Sequence, residues 1–342
     1  MVDLKAIYLT ALERCAPERL VREQVTRDMP RNVVAIGKCA GAMLDGVAAV
    51  HPIEHAFVAL PEGYRRPSTP AEVHIGGHPQ ITPSSFTAGR ALLRFVERHD
   101  DLLFLVSGGG SACVEVALHD EQSLIEENAR LIASGLPIAR INERRKTLSA
   151  IKGGKLRERV RGRCVTLVLS DVSTGRETDV ASGPTAGGEL ILVADNSTLV
   201  RAAAEIIGDR ADVLEEQLEG DVDEAAETLA RRAAHGCILV AGGEPTVRIR
   251  GNGKGGRCTE LAVRFAMRAR DEALFAASDG VDGNSGVAGI HLPRRGNILV
   301  TAEWEAALAV SDSLRIAAQI GEPIMIAATG NNLRDLFLVA RD

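Results

Sequence analysis

Three short stretches of the sequence gather groups that bind anions. The first is the turn Ser107, Gly108, Gly109, Gly110 and Ser111. Consecutive glycines let backbone N–H groups converge on an anion with no Cβ in the way. A helix beginning near Ser111 would add its dipole. A tight strand-to-helix turn also uses glycine, but three glycines between two serines exceed what such a turn needs. The second stretch runs from Asn142 to Gly154 and carries Arg145, Lys146 and Lys152. These could clamp a substrate carboxylate or phosphates, Arg doing so bidentately; a solvated helix face would show the same charge run. The third, Gly251–Arg257, holds Asn252, Lys254 and Arg257, with Arg248 and Arg250 just upstream. Its cationic density suits a polyphosphate, and a solvated hairpin loop is the plain alternative. Its glycines 251, 253 and 256 also fit G-x-G-x-x-G, a weak match on its own. The segment before it, 246–250, alternates apolar and basic residues and reads as a half-exposed strand.

Phosphoryl transfer asks for one or two carboxylates on Mg²⁺ and often a base for the attacking hydroxyl. The candidates are Asp171, Asp179, Glu244, Asp279 and Asp282. Asp171 and Asp279 are the expected metal ligands, although Asp-Gly pairs such as Asp279-Gly280 are also ordinary turn formers. Lys38, directly after the first apolar run, could meet a transferring phosphoryl group or simply open a helix at the surface. The histidines show no metal-binding spacing, and there is no Walker A match.

Positioning such groups requires a scaffold, and the chain advertises one. Apolar runs at 33–36, 102–106, 165–169, 237–241 and 273–277 each lead into a cluster just described. Continuous runs of this length suit parallel strands covered on both faces. Helical stretches near 38–49, 81–98, 119–134, 197–208, 222–234 and 258–270 separate them. Strand–helix alternation gives an α/β layered, doubly wound, mostly parallel sheet of Rossmann-like kind. Ligands in such folds sit beyond the carboxyl ends of the strands, where all five clusters fall. The segment 209–235 reads as acidic and helical, which puts a domain boundary near 230: an N-terminal domain 1–230 and a smaller α/β domain 231–342.

Bulk properties agree. With 342 residues, 45% hydrophobic and 25% charged, the chain is ordinary for a two-domain globular protein. A net charge of −6 and an aromatic content of 3% argue against nucleic-acid partners. The six cysteines form no CxxC pair and read as buried thiols. The first residues show no basic stretch leading into an apolar core, and no window suits a membrane span. A reducing cytoplasm is the expected location.

Taken together, these motifs resemble the glycerate 2-kinase family whose C-terminal part is called the MOFRL domain. The resemblance follows the chain in order: Ala35–Met43 with Lys38, Gly77-His78-Pro79, Ser107–Ala112, Arg145–Gly154, Leu169–Val172, Ala181–Thr185, Gly242–Glu244, Gly251–Gly253, Gly255–Arg257 and Asp279–Gly283. It implies two α/β domains with the active site between them, and transfer of the ATP γ-phosphoryl group to the 2-hydroxyl of D-glycerate with Mg²⁺. Lys38 and Arg257 match family positions held to act in catalysis. The chain departs from the family pattern at Gly256–Glu260, at Ala328–Asn332 and at Thr82, so a related hydroxy acid is an alternative substrate. The expected roles are anion binding by the 107–111 loop, orientation by Arg145 and Lys146, metal or proton handling by Asp171, and charge neutralisation by Lys38 and Arg257. Rival readings are an NAD(P)-dependent hydroxypyruvate reductase, which the G-x-G-x-x-G match supports, and a non-catalytic sensor of glycerate or nucleotide. No membrane or nucleic-acid partner is expected; the assembly is open, a homodimer among the options.

Overall fold

A computed structural model describes residues 3–134, 138–294 and 300–341. The chain forms two compact units: one spans Ala16–Asp195, the other takes the N-terminal helix up to Cys15 and everything from Asn196 on. The helix α1 (Leu4–Arg14) belongs to the latter, and Asp3 caps it by accepting the N–H groups of Lys5 and Ala6, both at 3.0 Å.

The 16–195 unit begins with α2 (Pro17–Gln24), β1 (Asn32–Ile36), α3 (Ala40–Ala48), β2 (His55–Pro61) and β3 (Glu72–Gly76). It continues through α4 (Pro83–Arg98), β4 (Leu102–Ser107), the single turn α5 (Gly110–Cys113), α6 (Glu121–Ala133) and α7 (Ile138–Leu148), then β5 (Cys164–Leu169) and β6 (Glu189–Ala194). The sheet order is β3-β2-β1-β4-β5-β6, every neighbouring pair parallel. The uninterrupted burial of β4 and β5 is what two covered faces require. α3 lies against β1, β2 and β4, and the apolar stripe of α4 closes a core with Phe57, Phe104 and Val168.

In this strand order the connections leave β1 and β4 in opposite directions, which opens a crevice at their carboxyl ends. The turns after β1, β4 and β5 are therefore neighbours along one edge of the sheet. They contain Lys38, the triple-glycine loop and Asp171.

The second unit adds α8 (Asn196–Ile207), β7 (Ala211–Val213), α9 (Val222–Arg232), β8 (Cys237–Gly243), α10 (Arg257–Arg268) and β9 (Glu272–Ala277). β10 (Gly289–Leu292), α11 (Ala302–Ala309), α12 (Ser313–Ile320), β11 (Glu322–Ile324) and β12 (Asp335–Arg341) complete it. Its sheet runs β11-β10-β9-β12-β8-β7. Here the expectation of parallel neighbours for 237–241 and 273–277 is corrected. β12, an apolar run the sequence reading passed over, lies between β8 and β9 and is antiparallel to both; among the described strands of this sheet, β7 and β8 alone pair in parallel. β8 and β9 still point the same way, so Glu244 and Asp279 leave the same edge, where β12 begins with Asp335.

Two further readings change. The 209–235 segment holds β7 and a loop before α9, and the expected boundary at 230 falls inside α9, whose apolar face packs with α10 in one core. The expected strand 246–250 is a loop with a single bridge, Thr246 to Asp221. Its amides are drawn elsewhere: Arg250 N–H donates to Ser311 Oγ at 2.9 Å, and Ile249 is 81% exposed. Among the described residues no helix is long and apolar enough to cross a membrane.

Candidate active-site residues in each unit

In the 16–195 unit the turns after β1 and β4 are laced together. Lys38 N–H donates to the Gly108 carbonyl at 2.9 Å. Ser107 Oγ accepts from Cys39 N–H at 3.1 Å and donates to the Ile36 carbonyl at 3.3 Å. Gly37 has φ +113°, and a Cβ there would meet the Gly108 carbonyl oxygen at 2.7 Å, so only glycine lets the turns approach this closely. Ser107 is fully buried and its hydroxyl is engaged in this lacing, which makes its side chain a brace. Gly109, at φ +80°, precedes α5 in the left-handed conformation, and the backbone of Gly108 and Gly110 is buried around it. The Lys38 ammonium lies 5.6 Å from the Tyr64 ring centroid, a cation–π arrangement at the mouth of the crevice. Asp171 follows β5, half-buried.

The basic stretch divides sharply. Lys146 Nζ donates to Asp179 Oδ1 at 2.6 Å, and Arg176 donates to the other oxygen at 2.8 Å. Burial pushes the Asp179 carboxyl up, but the hydrogen bonds from Lys146 and Arg176 outweigh it and hold it below the ordinary carboxylate range. Lys152, expected to bind a ligand, is 1% exposed and ion-paired with the equally buried Glu115, which also accepts from Ser149 Oγ. Burial depresses its ammonium pKa, with Glu115 opposing. Lys152 thus ties the segment after α5 to the loop after α7. Nothing in local spacing announces a partner in Glu115, far back in the chain. Arg145 is half-buried. Its Nε donates to Asn128 Oδ1 at 2.9 Å and its Nη1 to Asn142 Oδ1 at 3.4 Å. The Ser182 hydroxyl bridges Asn142 (3.3 Å) to Ser111 Oγ (2.8 Å).

In the second unit Arg257 opens α10 and reaches the sheet edge. Its Nε and Nη2 meet the two carboxylate oxygens of Asp335 at 3.0 and 3.1 Å, and its Nη1 lies 2.8 Å from Glu244. Burial works against the charge, yet Asp335 and Glu244 outweigh it and keep the guanidinium more firmly protonated than usual. Arg334, at φ +62°, shares Glu244 at 3.4 Å and donates to Gln217 at 2.7 Å and Glu219 at 2.8 Å. The sequence reading missed Arg334 and Asp335; an acid opening an apolar run was their one signal. Asp279 turns Oδ1 onto Val281 N–H at 3.0 Å, as a turn former does. Asn252 and Lys254 are exposed.

The glycines of 251–256 have a local explanation. A Cβ at Gly251 would meet the Val310 carbonyl at 2.7 Å, and one at Gly253 the Asp312 nitrogen at 2.5 Å. The buried Asp282 accepts the N–H groups of Cys258 and Thr259, both at 2.9 Å, so the start of α10 is capped by a carboxylate. A dinucleotide fingerprint needs a preceding strand and a helix terminus open to pyrophosphate, and this segment offers neither. Among the described residues no three metal-ligating side chains gather.

Comparison with known proteins divides the chain at a different place. The family model described as a domain of unknown function, DUF4147, matches residues 3–227, and the MOFRL family model matches residues 237–335. The first thus takes in α8 and β7, which belong structurally to the second unit. A glycerate 2-kinase from Sulfurisphaera tokodaii is 32% identical, the match covering 75% of this chain and 77% of that one. A relative from Agrobacterium vitis, provisionally named a hydroxypyruvate reductase, is 27% identical over 97% of this chain and 92% of its own. The crystal structure of a Thermotoga maritima glycerate kinase superposes with a TM-score of 0.84 at 26% identity, covering 98% of each chain.

Proposed function

Because the chain belongs to the glycerate 2-kinase family, we propose that it transfers the γ-phosphoryl group of ATP to the 2-hydroxyl of D-glycerate, giving 2-phosphoglycerate and ADP. The hydroxyl oxygen forms the new bond to phosphorus, the bond to the β–γ bridging oxygen breaks, and the hydroxyl proton leaves to a base. The observation that carries this reading is the shared edge of β1, β4 and β5. One sheet sets a lysine, a glycine loop with left-handed backbone and a half-exposed carboxylate at the switch point, where α/β folds bind ligands.

In this reading Lys38 meets the phosphoryl oxygens, and the Gly108–Gly110 backbone lies against an anion. Asp171 holds Mg²⁺ or accepts the hydroxyl proton. Mg²⁺ commonly takes one or two carboxylates and completes its shell with water and phosphate, so half-exposed Asp171 suits it without a protein cage. When bound, the ion would neutralise charge on the transferring phosphates. In the second unit Lys254 and Asn252 offer solvent-facing donors for phosphate, while Arg257 braces the sheet edge through Asp335. The cytoplasm as location and a homodimer as assembly belong to the same proposal.

The test is ADP release with D-glycerate, L-glycerate, tartronate and four-carbon hydroxy acids, followed by identification of the product. Absence of ADP with every acid would end the reading. Oxidation of NADH with hydroxypyruvate would replace it with the reductase, which the capped start of α10 disfavours.

A further inference from the structure

Of the cations on α7 and in the loop behind it, Arg140, Arg144, Lys146 and Lys152 meet carboxylates, while Lys155 and Arg145 meet uncharged oxygens. Arg140 meets Glu143 at 3.1 Å, Arg144 meets Glu127 at 3.3 Å and Lys146 meets Asp179 at 2.6 Å. Lys152 has Glu115, and Lys155 donates to the Ser149 carbonyl at 2.6 Å. Arg145 has only the amide oxygens of Asn128 and Asn142, two buried and uncharged side chains. Among the described residues no carboxylate lies within ion-pairing distance of its guanidinium. Glu115, the acid whose charge favours it, is held by Lys152 and Ser149. The amides fix the plane of the guanidinium and leave its charge unmatched. A cation taken out of water in this way is destabilising unless an anion joins it; consistently, burial lowers its pKa.

The seat is also costly to build. Ala181 and Ser182 both adopt left-handed backbone, at φ +54° and +63°, held by Gly153 N–H on the Ser182 carbonyl at 3.0 Å. Such strain persists where surrounding contacts enforce it. What it achieves is to place Ser182 Oγ between Asn142 and Ser111, which connects Arg145 by hydrogen bonds to the loop after β4.

We propose that Arg145 is the receptor for the carboxylate of the hydroxy-acid substrate, oriented by Asn128, Asn142 and Ser182 as positioning residues. This rests on the kinase reading above and narrows it. The charge balance decides between the two anions of the reaction. A triphosphate carries three or four negative charges and needs several cations, whereas here Lys146 shares the Asp179 carboxylate with Arg176 and Lys152 is held by Glu115, which leaves Arg145 as a guanidinium fork with no carboxylate of its own. One fork matches one carboxylate.

The experiment compares wild type with Arg145→Gln and Arg145→Lys, both checked for cooperative thermal unfolding. The readouts are kcat/KM for D-glycerate, kcat/KM for its neutral methyl ester, KM for ATP, and calorimetric binding of D-glycerate to the full chain without nucleotide. The expected result is a fall of about 10- to 100-fold for D-glycerate, the loss of one or two charge-assisted hydrogen bonds. Turnover of the ester and KM for ATP should stay within about threefold, since neither uses the fork, and Lys should restore part of the loss. Equal losses on acid and ester, or a raised KM for ATP with D-glycerate unaffected, would overturn the assignment. If wild type phosphorylates no hydroxy acid, the kinase reading fails separately. Calorimetry then still decides on Arg145: loss of D-glycerate binding in Arg145→Gln supports the assignment, and retained binding, or no binding to wild type, overturns it.

Discussion

Arg257 lays its guanidinium bidentately on Asp335, Nε to Oδ2 at 3.0 Å and Nη2 to Oδ1 at 3.1 Å, with Asp335 wholly excluded from solvent. A residue expected to act on phosphate is thus first a counter-ion of the sheet edge. Arg257→Ala would leave a buried carboxylate unpaired, a change that costs about 3–5 kcal/mol when a buried pair loses one partner. Adding Asp335→Asn should recover at least about 1 kcal/mol of that, read as a shift of the urea midpoint. If Arg257 also serves the reaction, turnover remains lost in the double variant. If turnover returns with stability, its role is structural alone.

Asp282 makes a second, pH-dependent claim. Burial pushes its carboxyl up to about 6 from 3.8, the amides of Cys258 and Thr259 pull it down, and Asp335 pushes it up. The folded-state value lies above the unfolded one, so the folded state holds the proton more tightly. The favourable contribution is complete below about pH 4, declines as pH rises, and is gone above about pH 6. Asp282→Asn removes this slope. The stability of the variant relative to wild type should therefore improve between pH 4 and pH 7, by on the order of 2–3 kcal/mol. Urea titrations of both proteins across that range provide the check; parallel curves would show that Asp282 does not titrate in this window.

The strands that carry these residues were readable because an apolar run covered on both faces leaves a continuous signature, as in 102–107 and 164–169. The turns at their ends were readable because glycine and serine accumulate where backbones approach closely. Pairing was not readable. β12 has the composition of any buried strand, and only the fold decides that it enters between β8 and β9. The same limit hid the partner of Lys152: a lysine in a basic run looks solvated until Glu115, from another segment, is brought against it. The glycines of 251–256 looked like a nucleotide motif, and their cause is the close approach of the Val310 and Asp312 backbone, which local spacing cannot show.

The buried pair Lys152–Glu115 gives a prediction that separates brace from ligand. Lys152→Met strands the Glu115 carboxylate and should destabilise the protein by about 3–5 kcal/mol. The double variant Lys152→Met with Glu115→Gln removes both charges and should be the more stable of the two. Its KM values for ATP and for the hydroxy acid should stay within a few-fold of wild type. A tenfold rise in either, in protein that still melts cooperatively, would return Lys152 to the binding site.

Gly37 and Lys38 are adjacent, and their substitutions should fail in different ways. Lys38 is half-buried, and its ammonium over Tyr64 is worth about 1 kcal/mol or less. Lys38→Ala should lower kcat by on the order of 10³-fold, the scale of a lost phosphoryl clamp. Gly37→Ala forces a side chain into φ +113° and against the Gly108 carbonyl. It should cost about 2–4 kcal/mol through strain and overlap, and lower turnover because the β1 and β4 turns part. Melting curves and ADP release on the same samples distinguish them. A Lys38→Ala enzyme within a few-fold of wild-type turnover would remove the lysine from the reaction, and a Gly37→Ala protein with unchanged melting would show that the two turns are not held as tightly as their hydrogen bonds imply.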